Sequence, residues 1–350
     1  MGFPPVIDSF DSPADFGFYM PAEWSQHERC WMVWPHDGSY WMGRHDEVKK
    51  AYAAVAKAIR QFEPVSMLVS PSAYDEAREL LGPAIELIEL ATDQAWLRDT
   101  GPNFLVNAVG ELAGSSWQFN AWGDKYRHYA NDALIGERIL STLGLANFTS
   151  PIYAEGGAVI VDGLGTVITT ESCLLNKNRN IDFTKKEVEA ELCRSLGAKK
   201  VIWLPGDKYE VETDGHVDGM LMYARPGVVL MGKPSNRNSP LYPCFQENYQ
   251  ALEGQTDAQG NPLQIVFIDI AEEADASGEK YCTSYVNSYL ANGGVVMPRY
   301  GIHADERAKA VFAELFPERR IIQVDIDPIA IGGGGIHCIT QQQPRLIIQS

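Results

Sequence analysis

One alternation recurs along the length of this chain and limits the folds open to it. Apolar runs of strand length, such as residues 65–69 and 227–232, interleave with stretches whose apolar residues return every three or four positions. Residues 46–62 form the first such helix: Val48, Tyr52, Val55, Ile59 and Phe62 share a face, the lysines fall elsewhere, and Pro64 follows as a stop. A strand is expected over 65–69 and a short helix over 73–81, closed by Gly82-Pro83. Further on, a strand over 103–106 precedes a helix over 132–143, and 158–161 with 166–170 read as a hairpin joined through Asp162-Gly163. Thr184-Lys185-Lys186-Glu187 is a capping box, hydroxyl and carboxylate each able to satisfy orphan backbone amides, and Gly197 ends the helix it opens. Strands over 201–204, 220–223, 228–231 and 265–268, a helix over 305–316 and a last strand over 321–326 complete the pattern. Residues 1–30, without periodicity, read as an irregular lead-in. About five modules of short strands with a helix make a mixed α/β fold, and with no linker between them residues 1–350 read as a single domain.

Composition excludes whole classes of function. A length of 350 residues, 45% hydrophobic and 21% charged, suits a soluble globular chain with a substantial core. The longest apolar runs fall far short of a membrane span. Met1 to Asp8 has neither the basic start nor the apolar core of a signal peptide, and Val6 stands where a myristoylation signal needs Ser or Thr, so a cytoplasmic protein is expected. Six scattered cysteines fit reduced thiols better than a disulfide framework. The net charge of −17 repels nucleic acid and anionic membranes and favours cationic partners, and basic patches interleaved with aromatics are absent.

Four stretches could carry chemistry. Gly332-Gly333-Gly334-Gly335 leads through Ile336 into His337-Cys338, and a glycine run belongs where the backbone turns sharply or lies close to another group. Cys338 is then either a nucleophile or a buried structural thiol; the polar tail Thr340-Gln341-Gln342-Gln343 argues against an ordinary core strand. Trp96-Leu97-Arg98-Asp99-Thr100-Gly101-Pro102 sets a charged pair between Trp and a turn, which alone could simply stabilise a loop. Glu155-Gly156-Gly157 places an acid before a turn, where solvation is the ordinary outcome. In Asp214-Gly215-His216-Val217-Asp218-Gly219, an extended backbone would put His216 and Asp218 on one face, as an acid/base pair, as metal ligands or as a structural hydrogen bond. The glycine run lacks the Lys-Ser/Thr of a phosphate-binding loop, and no G-x-S-x-G elbow is present.

Taken together, Trp96 to Pro102, Phe119-Asn-Ala-Trp-Gly123, Glu155-Gly-Gly-Ala158, Thr169 to Asn180, Gly215-His-Val-Asp218 and Gly333 to Pro344 resemble the agmatine deiminase family of the guanidine-modifying, amidinotransferase-like superfamily. The resemblance implies a five-bladed pseudo-symmetric α/β propeller of ββαβ modules around one site. It implies a cytosolic homo-oligomer, at least a dimer, that converts agmatine and water to N-carbamoylputrescine and ammonia with no cofactor and no metal. By resemblance Asp99 and Asp218 clamp the planar guanidinium, Cys338 attacks its carbon, and His216 serves as acid and then base. Glu155 orients His216, and Trp96 packs on the substrate. After Gly123 the family continues with glycine and an aromatic-acidic segment; here Asp124-Lys125-Tyr126-Arg127-His128-Tyr129 departs from it, which bears on how the substrate's far end is read. The same machinery would serve peptidyl-arginine, arginine, another alkylguanidine or amidino transfer. A zinc hydrolase using His216, Asp218, Glu155 and His337, and a binding protein without catalysis, are the readings from other classes.

Overall fold

In the computed structural model, residues 12–39, 41–274 and 282–346 are described; Met1 to Asp8, on which the absence of a leader was argued, lies outside them. Strands β1 (His27–Val33), β2 (Val65–Val69) and β3 (Glu86–Glu89) run parallel, with helices His45–Ile59 and Tyr74–Leu81 as their crossovers. The amphipathic face of the first helix is the expected one: Val48, Tyr52, Val55 and Ile59 are fully buried.

The next modules repeat one plan. β4 (Asn103–Val106) and β5 (Leu112–Gln118) form a hairpin, and helix Ile135–Leu143 carries the chain to β6 (Ala146–Tyr153), parallel to β5. The same order of hairpin, helix and parallel strand gives β7 (Val159–Val161), β8 (Thr166–Thr170) and β9 (Lys200–Leu204) around helix Lys185–Leu196. It gives β10 (Leu221–Arg225), β11 (Val228–Lys233) and β12 (Gln264–Asp269) around helix Tyr242–Leu252. A fourth copy has β13 (Tyr289–Ala291), β14 (Gly294–Arg299) and β15 (Arg320–Asp325) around helix Ala304–Leu315. A hairpin needs only a tight turn, whereas a parallel pair needs a crossover, so each module spends its helix on the second connection. The first module lacks its own leading strand, and the chain's last strand, β16 (Thr340–Pro344), supplies it by pairing antiparallel with β1. Five small mixed sheets result, with five-bladed pseudo-symmetry and no closed barrel. Among the described residues no helix is long and apolar enough to cross a membrane.

Three expectations are corrected. The lead-in is not irregular throughout, since β1 begins at His27. The polar tail after Cys338 is a strand after all, buried along its whole length. Two of its amide side chains find partners inside: Trp31 Nε1–H donates to Gln343 Oε1 at 2.9 Å, and Gln341 Nε2–H donates to the Pro102 carbonyl at 2.8 Å. Finally, His216 and Asp218 do not lie on an extended strand. Val217–Gly219 is a single 3-10 turn, and His216 precedes it in an extended conformation.

Candidate active site

Every module sends the turn before its leading strand to the same place. Asp99 lies in the turn Leu97–Thr100 before β4, and Glu155 enters the turn Gly156–Ala158 before β7. His216 and Asp218 precede β10, Asn287 precedes β13, and His337 and Cys338 precede β16. Repetition of one supersecondary unit is thus what collects residues scattered over most of the sequence.

The glycine run is explained by crowding. A Cβ on Gly332 would lie 2.4 Å from the Trp41 ring, one on Gly334 2.3 Å from Trp96, and one on Gly335 2.4 Å from Asn287 Oδ1. Gly333 instead has a φ of +92°, in the left-handed region that side chains disfavour. This turn delivers a half-buried Cys338. Asn287 Oδ1 accepts from the backbone N–H groups of His337 (3.0 Å) and Cys338 (3.3 Å). Its Nδ2 is therefore turned to the sulfur, 3.2 Å from Sγ, while Asp218 Oδ2 lies 3.5 Å away. Burial and the carboxylates Asp218 and Asp99 hold the thiol pKa well above its usual value.

Three polar atoms converge on one point, the position a Cβ on Gly157 would occupy: His216 Nδ1 at 2.6 Å, Asp99 Oδ1 at 2.9 Å and Asp218 Oδ2 at 3.0 Å. Only glycine leaves room there. Asp99 Oδ1 also accepts from Gly157 N–H at 3.0 Å, and Oδ2 from Trp122 Nε1–H at 2.9 Å. Its pKa is raised to about 6, by burial first and by Asp218 and Glu155, against the pull of His216 and Trp122. His216 presents Nε2 to Glu155 Oε2 at 3.4 Å, and its buried Nδ1 has no hydrogen-bond partner, 3.7 Å from Asp99 Oδ1. Burial opposes the charged ring, but Asp99, Cys173 and Glu155 outweigh it and raise its pKa well above the usual value. Glu155 is held low despite burial because Arg179 Nε donates to Oε1 at 2.7 Å and His216 faces Oε2. With Nε2 held by a carboxylate and Nδ1 unpartnered, the ring can give or take a proton at Nδ1.

The stretch from Phe119 to Tyr129 borders this centre. Ala121, Trp122, Gly123 and Asp124 all have positive φ, a left-handed turn that costs about 1–2 kcal/mol per non-glycine residue. It is fastened by Gly123 N–H to Asn120 Oδ1 at 2.9 Å, and by Lys125 Nζ to Asp214 Oδ2 at 2.8 Å and to the Glu212 carbonyl at 2.9 Å. Its product is the aim of Trp122 at Asp99. Tyr126 donates to Glu212 Oε2 at 2.9 Å. Trp96, Trp122, Tyr126 and Glu212 line a small recess with Asp99 and Cys338, and this recess shares Glu212, Thr213, Gly333 and Cys338 with a cavity of about 600 Å³ that also reaches His216 and Asp218.

All the residues singled out from the sequence, Trp96, Asp99, Glu155, His216, Asp218 and Cys338, therefore meet. The four ligands of the zinc reading do not converge on one metal-sized point: His216 pairs with Glu155 and Asp99, and His337 with Asp218 and Glu23. Among the described residues, the donors that do cluster are Glu155, Cys173 and His216, and Arg179 lies against Glu155, so a dication there would meet a buried cation. Asn287, Trp122, Arg179 and Cys173 were missed. The signal that could have found Asn287 is modular: it occupies the same place before β13 that Cys338 occupies before β16.

Comparison with known proteins agrees with the motifs. Agmatine deiminase from Ectopseudomonas mendocina is 42% identical over 95% of this chain and 97% of its own length. Agmatine deiminase from Stutzerimonas stutzeri is 40% identical over 97% of this chain and 98% of its own. The structure of Enterococcus faecalis agmatine deiminase superposes with a TM-score of 0.92 at 35% identity, covering 96% of this chain and 98% of that one. A family model, Porphyromonas-type peptidyl-arginine deiminase, matches residues 19–344. With that match spanning all five modules, the chain belongs to the Porphyromonas-type peptidyl-arginine deiminase family.

Proposed function

We propose that this protein hydrolyses agmatine to N-carbamoylputrescine and ammonia through a covalent intermediate on Cys338. The observation that carries the choice of substrate is the sign of the lining. Asp207, Glu210, Glu212, Asp218 and Glu272 line the large cavity and Asp99 and Glu212 the recess, with no Lys or Arg among the described lining residues. Agmatine is a dication and suits that field, whereas the α-carboxylate of free arginine would be repelled by it. The names of the relatives point the same way.

Asp99 and Asp218 take the guanidinium N–H groups in charge-assisted hydrogen bonds and fix its plane. The ring of Trp96 packs on that plane. Glu212, held by Tyr126, takes the distal ammonium. Burial and the carboxylates Asp218 and Asp99 keep the Cys338 thiol protonated; the substrate's charge offsets the carboxylates, so substrate binding itself favours the thiolate, the thiol proton passing to solvent. The thiolate attacks the guanidinium carbon, forming a C–S bond, with Asn287 Nδ2–H donating to the sulfur. As the C–N bond breaks, His216 gives its Nδ1 proton to the departing nitrogen, which leaves as ammonia. Water then adds to the thiouronium carbon and loses a proton to the now neutral His216. Breaking the C–S bond restores the thiolate, and the hydroxyl proton of the adduct passes to solvent as its oxygen becomes the carbonyl of the ureido product.

The whole chain acts as one catalytic domain, since all five modules supply the centre. A cytoplasmic homo-oligomer, at least a dimer, is proposed from the family resemblance. The product is a ureido amine that a further hydrolysis would turn into putrescine, which puts the reaction on a route to polyamines. The test is ammonia release with agmatine, arginine and a blocked arginyl peptide in parallel, the product identified by mass. Agmatine as the preferred substrate is expected. Preference for arginine or the peptide would overturn the substrate, and an amidino group found on an added amine would reassign the reaction as transfer.

A further inference from the structure

The mechanism leaves one buried histidine of the site unused. His337 Nδ1 lies 2.8 Å from Asp218 Oδ2, and its Nε2 lies 2.7 Å from Glu23 Oε1. An ionised carboxylate oxygen only accepts hydrogen bonds, so a neutral ring would set a lone pair against one of the two. Both contacts are satisfied only by a ring protonated on both nitrogens. The backbone is pinned as well: His337 N–H donates to Asn287 Oδ1, and the His337 carbonyl accepts from Arg98 Nε at 3.3 Å.

We propose that His337 is a resident imidazolium, anchored by Glu23, that keeps Asp218 ionised and aimed before the substrate arrives. It is a positioning residue, and the proposal rests on the reading of Asp218 as a guanidinium clamp. The need for it follows from crowding, because Asp218, Asp99 and the Cys338 sulfur lie close together and an uncompensated Asp218 would take up a proton. The charged groups around the ring are Glu23 from the segment before β1, Arg98 from the turn before β4, Asp218 from the turn before β10, and the adjoining Cys338. Burial and Arg98 oppose a charged ring, while Glu23 and Asp218 favour it and prevail. Glu23 is itself held down to about 2: burial alone would raise it, but His337 and Arg98 outweigh that. In the complex the substrate's guanidinium takes over the task of keeping Asp218 charged, so His337 governs capture more than turnover.

The test uses the full chain. Selective 15N-histidine NMR resolves the protonation of the seven histidines, and His337→Asn identifies the signal that belongs to position 337. That signal is expected to remain imidazolium at pH 8 in the wild type and to titrate at lower pH in Glu23→Gln. In kinetics, Glu23→Gln is expected to lose kcat/KM about tenfold per pH unit above the lowered pKa, with kcat at saturation largely kept. His337→Asn keeps a donor for Asp218 and is expected to show a low kcat/KM without that limb. A neutral His337 at pH 7 in the wild type, or a Glu23→Gln profile superposing on the wild type, overturns the proposal. The NMR result needs no substrate, so inactivity towards agmatine would count against the proposed function alone.

Discussion

At the scale of single residues, the site is arranged around the missing side chain of Gly157. A methyl group there would lie against His216 Nδ1, Asp99 and Asp218 together. Gly157→Ala is therefore expected to fold, by circular dichroism, and to lose turnover by orders of magnitude; near-normal activity would mean that the three atoms do not share one reacting space. Asp99 sets the acid side of the pH dependence. Its pKa of about 6 belongs to the free protein, so the cation clamp is intact above that pH and lost as the pH falls through it. The profile of kcat/KM for agmatine is expected to drop below about pH 6, and Asp99→Asn to lower kcat/KM and abolish that limb. Cys338, His216, Asp218 and Asp99 could be singled out in the sequence because thiol, imidazole and carboxylate are reactive by type, while the roles expected of them came only with the family resemblance. Asn287, Trp122 and Arg179 could not, since amide, indole and guanidinium are ordinary structural groups until topology places them beside a sulfur, an aspartate and a glutamate.

At the scale of elements, the left-handed turn at Ala121 to Asp124 is strain held in place for a purpose. Its purpose can be read out through Asp99. Trp122→Phe keeps the ring but removes the N–H that donates to Asp99 Oδ2, so a bond favouring the ionised form is lost. The acid limb of the kcat/KM profile is expected to move to higher pH; an unmoved limb would show that the turn does not tune Asp99. Helices and hairpins with clear periodicity or caps, such as Lys185–Leu196 behind its Thr184–Glu187 box, were legible. β5 and β16 were not. The middle of β5, Ala113 to Ser116, is small and β16 is polar, and they are strands because neighbouring backbones pair with them, which periodicity cannot register.

At the scale of the molecule, the modules are joined at their ends. β16 completes the first sheet, and a buried cluster links the first module to the fourth copy of the repeat: Tyr289 O–H donates to Glu63 Oε1 at 2.6 Å, Asn292 N–H to Oε2 at 2.7 Å, and His27 Nδ1 lies 3.2 Å from Oε1. Tyr289→Phe leaves Glu63 short of a donor in a buried site, which costs about 1–3 kcal/mol. Urea unfolding should show that loss with kcat unchanged; an unchanged midpoint would remove the cluster from what holds the modules together. Module number was legible from the alternation, because each unit repeats its own pattern. Closure by the last strand was not, because pairing between the two ends of a chain leaves no local signal. That closure is what sets Cys338 among the turns of the other modules, where the proposed mechanism has its sulfur bond to the substrate carbon. The direct measurement is acid quenching of the protein during turnover of agmatine, followed by mass analysis of the peptide containing Cys338. A peptide heavier by agmatine less ammonia, absent in Cys338→Ala together with all turnover, is the expected result. Ammonia release with no adduct on Cys338, and with Cys338→Ala still active, would contradict it.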